Sequence, residues 1–369
     1  MSRSALELRR ELHRYPELSG CERETARRIL EFFRPLRPDL VLERLGGTGL
    51  AFAFGSGDGP SILLRCELDA LPIHETTELP YRSLHDGVSH KCGHDGHMAI
   101  LAEVACRWAS KRPHRGRVVL LFQPAEEIGA GAAAVLGDPR FESLRPDVVY
   151  ALHNLPGFPL GRVLLKDGPF NCASRGLTVR FHGRTSHAAE PEKGLSPARA
   201  MAETITDLAS LRPEDGRGFV TVVGARLGAE AFGTSPGDAE VHATLRTETD
   251  ASMASLKRRA EASARERAER DGLGFEVSYR DVFAATANAP AAVARLRRVA
   301  DRPSTLERAE PFRWSEDFGR FTARFEGALF GLGAGEECPP LHDPSYDFPD
   351  ELIDIGADIF ERLIEDFLG

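Results

Sequence analysis

No apolar run in this chain of 369 residues approaches the ~18 residues that a membrane-spanning helix needs. The opening stretch Met1-Ser-Arg-Ser-Ala-Leu-Glu-Leu-Arg-Arg has no apolar centre, so it does not read as a signal peptide. Positive charge is not in excess: 47 Lys and Arg stand against 56 Asp and Glu, a net charge of −9, so nothing suggests a nucleic-acid footprint. The arginines, matched by acids, read as a solvated face. The six cysteines (21, 66, 92, 106, 172 and 338) form no CxxC pair and no small-scaffold spacing, which suits a reducing cytoplasm better than a disulfide framework. Low-complexity segments are absent. What remains is an ordinary folded composition, 42% hydrophobic, with a length that predicts roughly two domains of about 150 residues each.

Against that plain background one stretch stands out. His90-Lys-Cys92-Gly-His94-Asp95-Gly-His97 packs three imidazoles, a thiol and a carboxylate into eight residues. Cys, His and Asp make a ligand set suited to zinc or another divalent transition metal. The run Met98–Trp108 is helical in pattern, so the cluster sits where a loop enters a helix, a position that favours thiolate over thiol. The plain alternative is a polar loop with incidental histidines.

In chain order, residues 4–14 read as an amphipathic helix, and Ser19-Gly-Cys-Glu22 as a capping box opening a helix that ends at Phe33. Gly47–Phe54 and Ser61–Glu67 read as strands, the second running straight into Asp69. Arg115–Gln123 is strongly apolar and must stop at Pro124. Glu126 and Glu127 follow at once. Adjacent carboxylates point in different directions, so one can bind metal while its neighbour serves as a general base. An exposed acidic turn is the bland reading, and the position just past a buried strand, like that of Asp69, weighs against it. Asp147–Leu152 is a further strand, delivering His153-Asn154. Ligands in open α/β sheets lie beyond the carboxyl ends of strands.

From about Ala173 the pattern changes. Strands at 174–182, 218–227, 239–247 and 274–283, with helices at 196–211 and 251–271, give the order β-α-β-β-α-β, the ferredoxin-like arrangement. It reads as an inserted domain over 173–284, which splits the first domain into 1–172 and 285–369. Its loop Gly183–Ala189 holds His187, which on spacing alone reads equally well as a surface histidine. The chain then returns with a helix at 290–300, a polar-aromatic turn at Phe312–Phe318, a strand at 328–332, His342-Asp343 and a closing helix over 349–368.

These motifs together resemble the family of co-catalytic metal-dependent amidohydrolases and carboxypeptidases, in the aminoacylase-like branch of hippurate hydrolase, indoleacetyl-amino-acid hydrolase and N-acetyldiaminopimelate deacetylase. The resemblance rests on Leu8-Arg-Arg-Glu-Leu-His-Arg-Tyr-Pro-Glu-Leu, Glu67-Leu-Asp-Ala-Leu-Pro, Cys92-Gly-His-Asp-Gly-His, Gln123-Pro-Ala-Glu-Glu, Ala151-Leu-His-Asn, Ser186-His-Ala-Ala, Ser315-Glu-Asp-Phe and Leu341-His, in that order along nearly the whole chain. It implies an α/β fold: a phosphorylase/hydrolase-like mixed-sheet catalytic domain with an inserted ferredoxin-like α+β lid and dimerisation domain. It implies Cys92, His94, Glu127, His153 and His342 as ligands of two divalent ions (zinc, manganese, cobalt or nickel), with Cys92 bridging. Glu126 becomes the general base, Asp69 orients a ligand from behind, Asp95 and His97 support the loop, and His187 reaches the substrate from the lid, in relatives often across a dimer.

The implied reaction is hydrolysis of the amide bond of an N-acyl amino acid or related conjugate by a metal-activated water, in a cytoplasmic homodimer or higher homo-oligomer without nucleic-acid or membrane partners. Two departures stand against the pattern. Relatives carry Ala where Cys66 stands, and Asn near Gly233. A dipeptidase or carboxypeptidase activity, or a non-catalytic metal-binding relative, are the alternatives. A redox protein built on Cys92 would need a resolving thiol nearby, and the loop has none.

Overall fold

The computed structural model describes residues 4–55, 58–300 and 305–369. The first three residues of the Met1–Arg10 stretch lie outside them. By internal contacts the chain divides into two compact units. One comprises Met1–Phe170, Thr286–Pro311 and Glu316–Gly369, the other Asn171–Ala285 and Phe312–Ser315. The turn at Phe312–Phe318 is therefore divided, not wholly part of the first unit as its sequence suggested. Its first half is tied to the second unit: the Cys172 amide donates to the carbonyls of Phe312 and Trp314 (3.1 and 3.2 Å), and Arg246 Nη1 donates to Arg313 O and Ser315 Oγ, each at 2.9 Å.

The first unit is built on an eight-stranded sheet. Its spatial order is Leu40–Leu45, Gly49–Gly55, Arg117–Gln123, Ser61–Glu67, Val148–Leu155, Glu326–Gly333, Val163–Leu165 and Thr305–Glu307. The four central strands are parallel. Helices cover them, so they read as continuous apolar runs and not as alternations; Ser61–Glu67 and Val148–Leu155 are buried at every position. Ser61–Glu67 is the switch point. From it the chain passes through the helix His94–Trp108 to one neighbour, then through Gly131–Gly137 to the neighbour on the other side. The crevice beyond its carboxyl end is where such a sheet binds ligands. One apolar core joins the helices Ala5–Arg14, Arg23–Phe33, His94–Trp108, Pro290–Val299 and Leu352–Leu368 to the sheet, with Leu8, Leu12, Ile29, Phe33, Phe52, Phe122, Ile100 and Leu363 all buried.

Two local readings are corrected here. The helix Arg23–Phe33 is not capped by Ser19 or Glu22; Glu17 Oε2 accepts the Thr25 amide at 2.7 Å. Ser19 Oγ instead donates to Asp69 Oδ2 at 2.6 Å. The Glu22 carboxylate accepts the amides of Gly20 and Ala125, each at 2.8 Å. Both side chains are drawn to the strand ends. The strand begun at Val148 also runs on to Leu155, so His153 and Asn154 lie within it rather than after it. The strand Leu40–Leu45 escaped the sequence because its apolar run, Leu40–Leu42, is only three residues long before Glu43 and Arg44 interrupt it.

The second unit is a four-stranded antiparallel sheet in the order Gly218–Leu227, Asp238–Thr247, Ala173–His182, Gly274–Phe283. With the helices Ala198–Ser210 and Asp250–Arg270 this is the ferredoxin-like β-α-β-β-α-β arrangement. Period two decides one face: Ala239, Val241, Ala243 and Leu245 are buried while their neighbours are not. Period 3.6 decides the long helix, which buries Met253, Leu256, Ala260, Ala264 and Ala268 and is capped by Thr249 accepting from the Ser252 amide. These residues make a core of their own.

Candidate metal centre

The centre is assembled from the carboxyl ends of three parallel strands and the first turn of the helix His94–Trp108. Gly93 precedes that helix with φ +89°, in the left-handed region, and a Cβ there would lie 2.7 Å from Asn154 Oδ1. Only glycine lets the backbone pass so close, and this turn sets Cys92 on one side and His94 on the other.

Backbone carbonyls fix two imidazole tautomers, because a carbonyl can only accept. His94 Nδ1 donates to Asp69 O at 2.8 Å, and His153 Nδ1 donates to Asn154 O at 2.9 Å. In its neutral form each ring then has the lone pair of Nε2 facing inward. His153 Nε2 lies 3.5 Å from Cys92 Sγ. Two donors bound to one tetrahedral zinc at the usual S and N distances stand about 3.6 Å apart. His94 Nε2 is 3.8 Å from carboxylate oxygens of both Glu126 and Glu127. His342 Nε2 is 3.8 Å from Glu127 Oε2.

The donor atoms thus fall into sets whose members lie within 4.8 Å of one another: Cys92, His94 and His153; Cys92, Glu127 and His342; and His94, Glu126 and Glu127. Cys92 is common to the first two. Two further sets among the described residues, Glu67 with His94 and His97, and Glu126 with Glu316 and Asp317, border them.

A cation fits these donors. His94 Nε2 and Glu127 Oε1 are buried without a hydrogen-bond partner, a costly state for polar atoms unless something positive satisfies them. The electrostatics point the same way. Burial alone lowers His94, yet Asp69, Glu67 and Glu127 overcome it and push the ring up to about 10. Burial, then Glu316 and Glu127, push Glu126 well above the usual carboxylate range. The position demands positive charge. The expected preference for a Cys92 thiolate does not hold for the protein groups alone: burial and the Glu127 and Glu126 carboxylates push the thiol up, outweighing the helix terminus. A thiolate there needs a cation beside it.

Residues 63–366 match the sequence profile of peptidase family M20/M25/M40. The chain belongs to that family. It is similar to the N-acetyl-L-cysteine deacetylase of Bacillus subtilis, 35% identical over 251 residues that make up 67% of this chain and 60% of that protein. It is also similar to the N-acetyldiaminopimelate deacetylase of Oceanobacillus iheyensis, 30% identical over 377 residues, 98% of each chain. Among solved structures it resembles the Bacillus subtilis YXEP protein, described as a dinuclear metal binding peptidase of the M20 family, with a TM-score of 0.83 and 27% identity over 99% of this chain and 97% of that one. The family makes this chain a metal-dependent amidohydrolase.

In this M20 hydrolase the surrounding side chains are as ordered as the donors. The Asp69 carboxylate accepts the Glu127 amide at 3.0 Å. Asp95 belongs to none of the metal-donor sets; it accepts from Arg9 Nε at 3.1 Å and pairs with His13 Nδ1 at 2.9 Å, pinning the helix to Ala5–Arg14. His97 bridges Glu67 (2.6 Å) and Asn154 (2.5 Å). Two non-glycine residues adopt left-handed backbones at the centre itself, Ala125 (φ 50°) just before Glu126, and His342 (φ 67°). The Glu22 carboxylate holds the amide of the first. Strain of this kind persists only where its surroundings enforce it.

Sequence reasoning missed what lies beneath Glu126. Arg65 is fully buried in the strand Ser61–Glu67. It pairs with Glu67, Glu316 and Asp317, the last at 2.7 Å. Gln123 Nε2 and the Ala132 amide also donate to Asp317. The available signal was an arginine in the middle of an apolar strand, where no face is left for water. His187 belongs to the second unit. There Ser186–His187 pairs with Thr234–Ser235, and His187 Nδ1 accepts the Ala189 amide at 3.0 Å. The neutral ring therefore carries its proton on Nε2.

Proposed function

We propose that this chain hydrolyses the amide bond of N-acyl amino acids or related amino-acid conjugates, releasing an acid and a free amino acid, with Glu126 as general base. One observation carries the reading. Two donor sets meet at Cys92, and Glu126, a member of neither, stands beside His94 and Glu127. The deacetylase names of the two relatives support the substrate class.

In this reading Cys92, His94 and His153 hold one divalent ion, and Cys92, Glu127 and His342 a second. Zinc, manganese, cobalt and nickel all suit such sulfur, nitrogen and oxygen donors. When bound, the ions supply Lewis acidity and lower the pKa of a water toward neutrality. Glu126 takes the proton from the attacking water and passes it to the leaving nitrogen. Asp69 keeps the His94 tautomer through its carbonyl and the Glu127 backbone through its carboxylate. Asp95 and His97 keep the helix start in place. His187 donates from Nε2 to the amide oxygen as negative charge builds there.

The same proposal takes residues 173–284 as the lid and dimerisation domain. The strand Gly218–Leu227 is an edge strand with Val223 62% exposed, an edge on which a second copy can add. A cytoplasmic setting is supported by all six cysteines being free.

The test is a panel of N-acetyl amino acids, hippurate and dipeptides offered to protein reconstituted separately with each metal. Release of acid and amine from the N-acyl compounds, abolished by chelation, is expected. Cleavage of none of them with any metal overturns the reading, and cleavage of dipeptides alone moves it to a dipeptidase.

A further inference from the structure

Phe232 is 97% exposed, the highest value of any large hydrophobic side chain among the described residues. It occupies the second position of the turn Ala231–Thr234, closed by the Thr234 amide donating to Ala231 O at 3.0 Å. Turns favour proline or small polar residues there, so the backbone gives no reason for a phenylalanine. Packing gives none either. An isolated exposed apolar residue is ordinary on a protein surface; its neighbour sets this one apart. The turn leads directly into Thr234–Ser235, and Thr234 pairs with His187. The Ala188 amide donates to Gly233 O at 2.9 Å. Phe232 and His187 are thus carried on one small two-stranded tip within the second unit. Beside the ring the tip is open: a Cβ added to Gly233 would meet nothing within 4 Å.

We infer that Phe232 is a specificity-determining residue that packs against an apolar group of the substrate next to the scissile amide, on the same tip from which His187 addresses the carbonyl oxygen. This rests on the reading above in which His187 meets the substrate. Wherever the tip delivers an imidazole, it delivers an aromatic face with it. An aromatic ring removed from water by an apolar partner gains free energy on both sides. The favoured substrates are therefore N-acyl amino acids bearing an aromatic or large aliphatic group, on the acyl or the amino-acid side.

The experiment compares Phe232→Ala with the parent holoenzyme on two series. One varies the amino acid, from N-acetylglycine through N-acetylalanine to N-acetylphenylalanine. The other varies the acyl group, from N-acetylglycine to N-benzoylglycine. The ratio of kcat/KM for the bulky substrate to that for N-acetylglycine is expected to fall about 10-fold or more in one series, carried by KM, with Phe232→Leu retaining most of it. The series affected identifies the side of the amide that Phe232 meets. An unchanged ratio in both series overturns the inference, as does an equal loss on every substrate, which would mark a structural role. His187→Ala is measured in parallel. If its kinetics are normal, the reading of His187 fails and this inference with it; if it is impaired while Phe232→Ala keeps both ratios, only this inference fails.

Discussion

Exchanging each member of the Glu126-Glu127 pair for glutamine separates their roles. Both changes preserve shape and remove a charge. Glu126 lies outside the two donor sets that share Cys92, so Glu126→Gln is expected to keep both ions, measured as metal per chain by elemental analysis. An amide can still hydrogen-bond a water but cannot take its proton. Loss of a general base costs on the order of 10²–10⁴ in rate, or about 3–5 kcal/mol of transition-state stabilisation. Burial, Glu316 and Glu127 already disfavour a charge on Glu126, so the metal-free variant should melt no lower than the parent. Glu127 faces both His94 and His342 at 3.8 Å. Glu127→Gln should therefore lose metal first, and its activity should recover at least partly when metal is supplied in excess. If Glu126→Gln sheds metal and Glu127→Gln keeps it with slow turnover, the assignment of base and ligand is reversed.

Three further outcomes follow from named contacts. Arg65→Met leaves Glu67, Glu316 and Asp317 buried without their cation and should destabilise the first unit by about 3–5 kcal/mol; a loss under about 1 kcal/mol in denaturant titrations would show that the carboxylates relax into water. Gly93→Ala forces a left-handed alanine against Asn154, whose side chain is held by His97 and Tyr346; a cost of about 2–5 kcal/mol, together with weakened metal retention, is expected, and normal retention would mean the turn yields without moving Cys92 or His94. His13 faces Asp95 through Nδ1 at 2.9 Å and Glu75 through Nε2 at 3.0 Å, so both ring nitrogens must donate; burial lowers its pKa, but the two carboxylates, against nearby Arg9, raise it to about 9. Because the folded value lies above the unfolded one, this stabilisation is complete below about pH 6.5 and fades as pH rises through about 9, amounting to roughly 3 kcal/mol. The stability gap between the parent and His13→Gln should close over that window, and a gap that stays constant from pH 6 to 10 would show that the ring is neutral.

What the sequence made legible is what local pattern decides. Ser61–Glu67, Gly218–Leu227 and Gly274–Phe283 are the strands read from it, to the residue, because continuous or alternating apolar runs bounded by turn residues leave little freedom. Strand ends in turn locate chemistry, so Asp69, Glu126, Glu127 and His153 could be singled out before any contact was known. The illegible parts are long-range or conformational. Arg65 meets Glu316 across 251 residues, and no window of sequence holds both. Ser19 and Glu22 have the residue types of a capping box, yet the buried Asp69 carboxylate and Ala125 amide take their oxygens, and Glu17 takes the Thr25 amide that a capping box would hold. The tautomer of His187 depends on the Ala189 amide, a matter of turn geometry that composition does not encode.

The several displaced titrations at the strand ends have one origin. Glu67, Asp69, Glu126, Glu127, Glu316 and Asp317 crowd one edge of the sheet, and the buried guanidinium among them is that of Arg65. Glu67 lies far below the usual carboxylate range: burial raises it, but Arg65 and His97 overcome that. Burial and the remaining carboxylates raise Glu126, Glu316 and Asp317, and His94 is driven toward imidazolium by the same surplus. A surplus of buried negative charge is destabilising unless it is matched. The donors within reach of that surplus are the ones that suit divalent ions. Cation binding and the stability of the first unit are therefore linked through the same groups, and the charge that makes this edge costly to fold is what gives it affinity for metal.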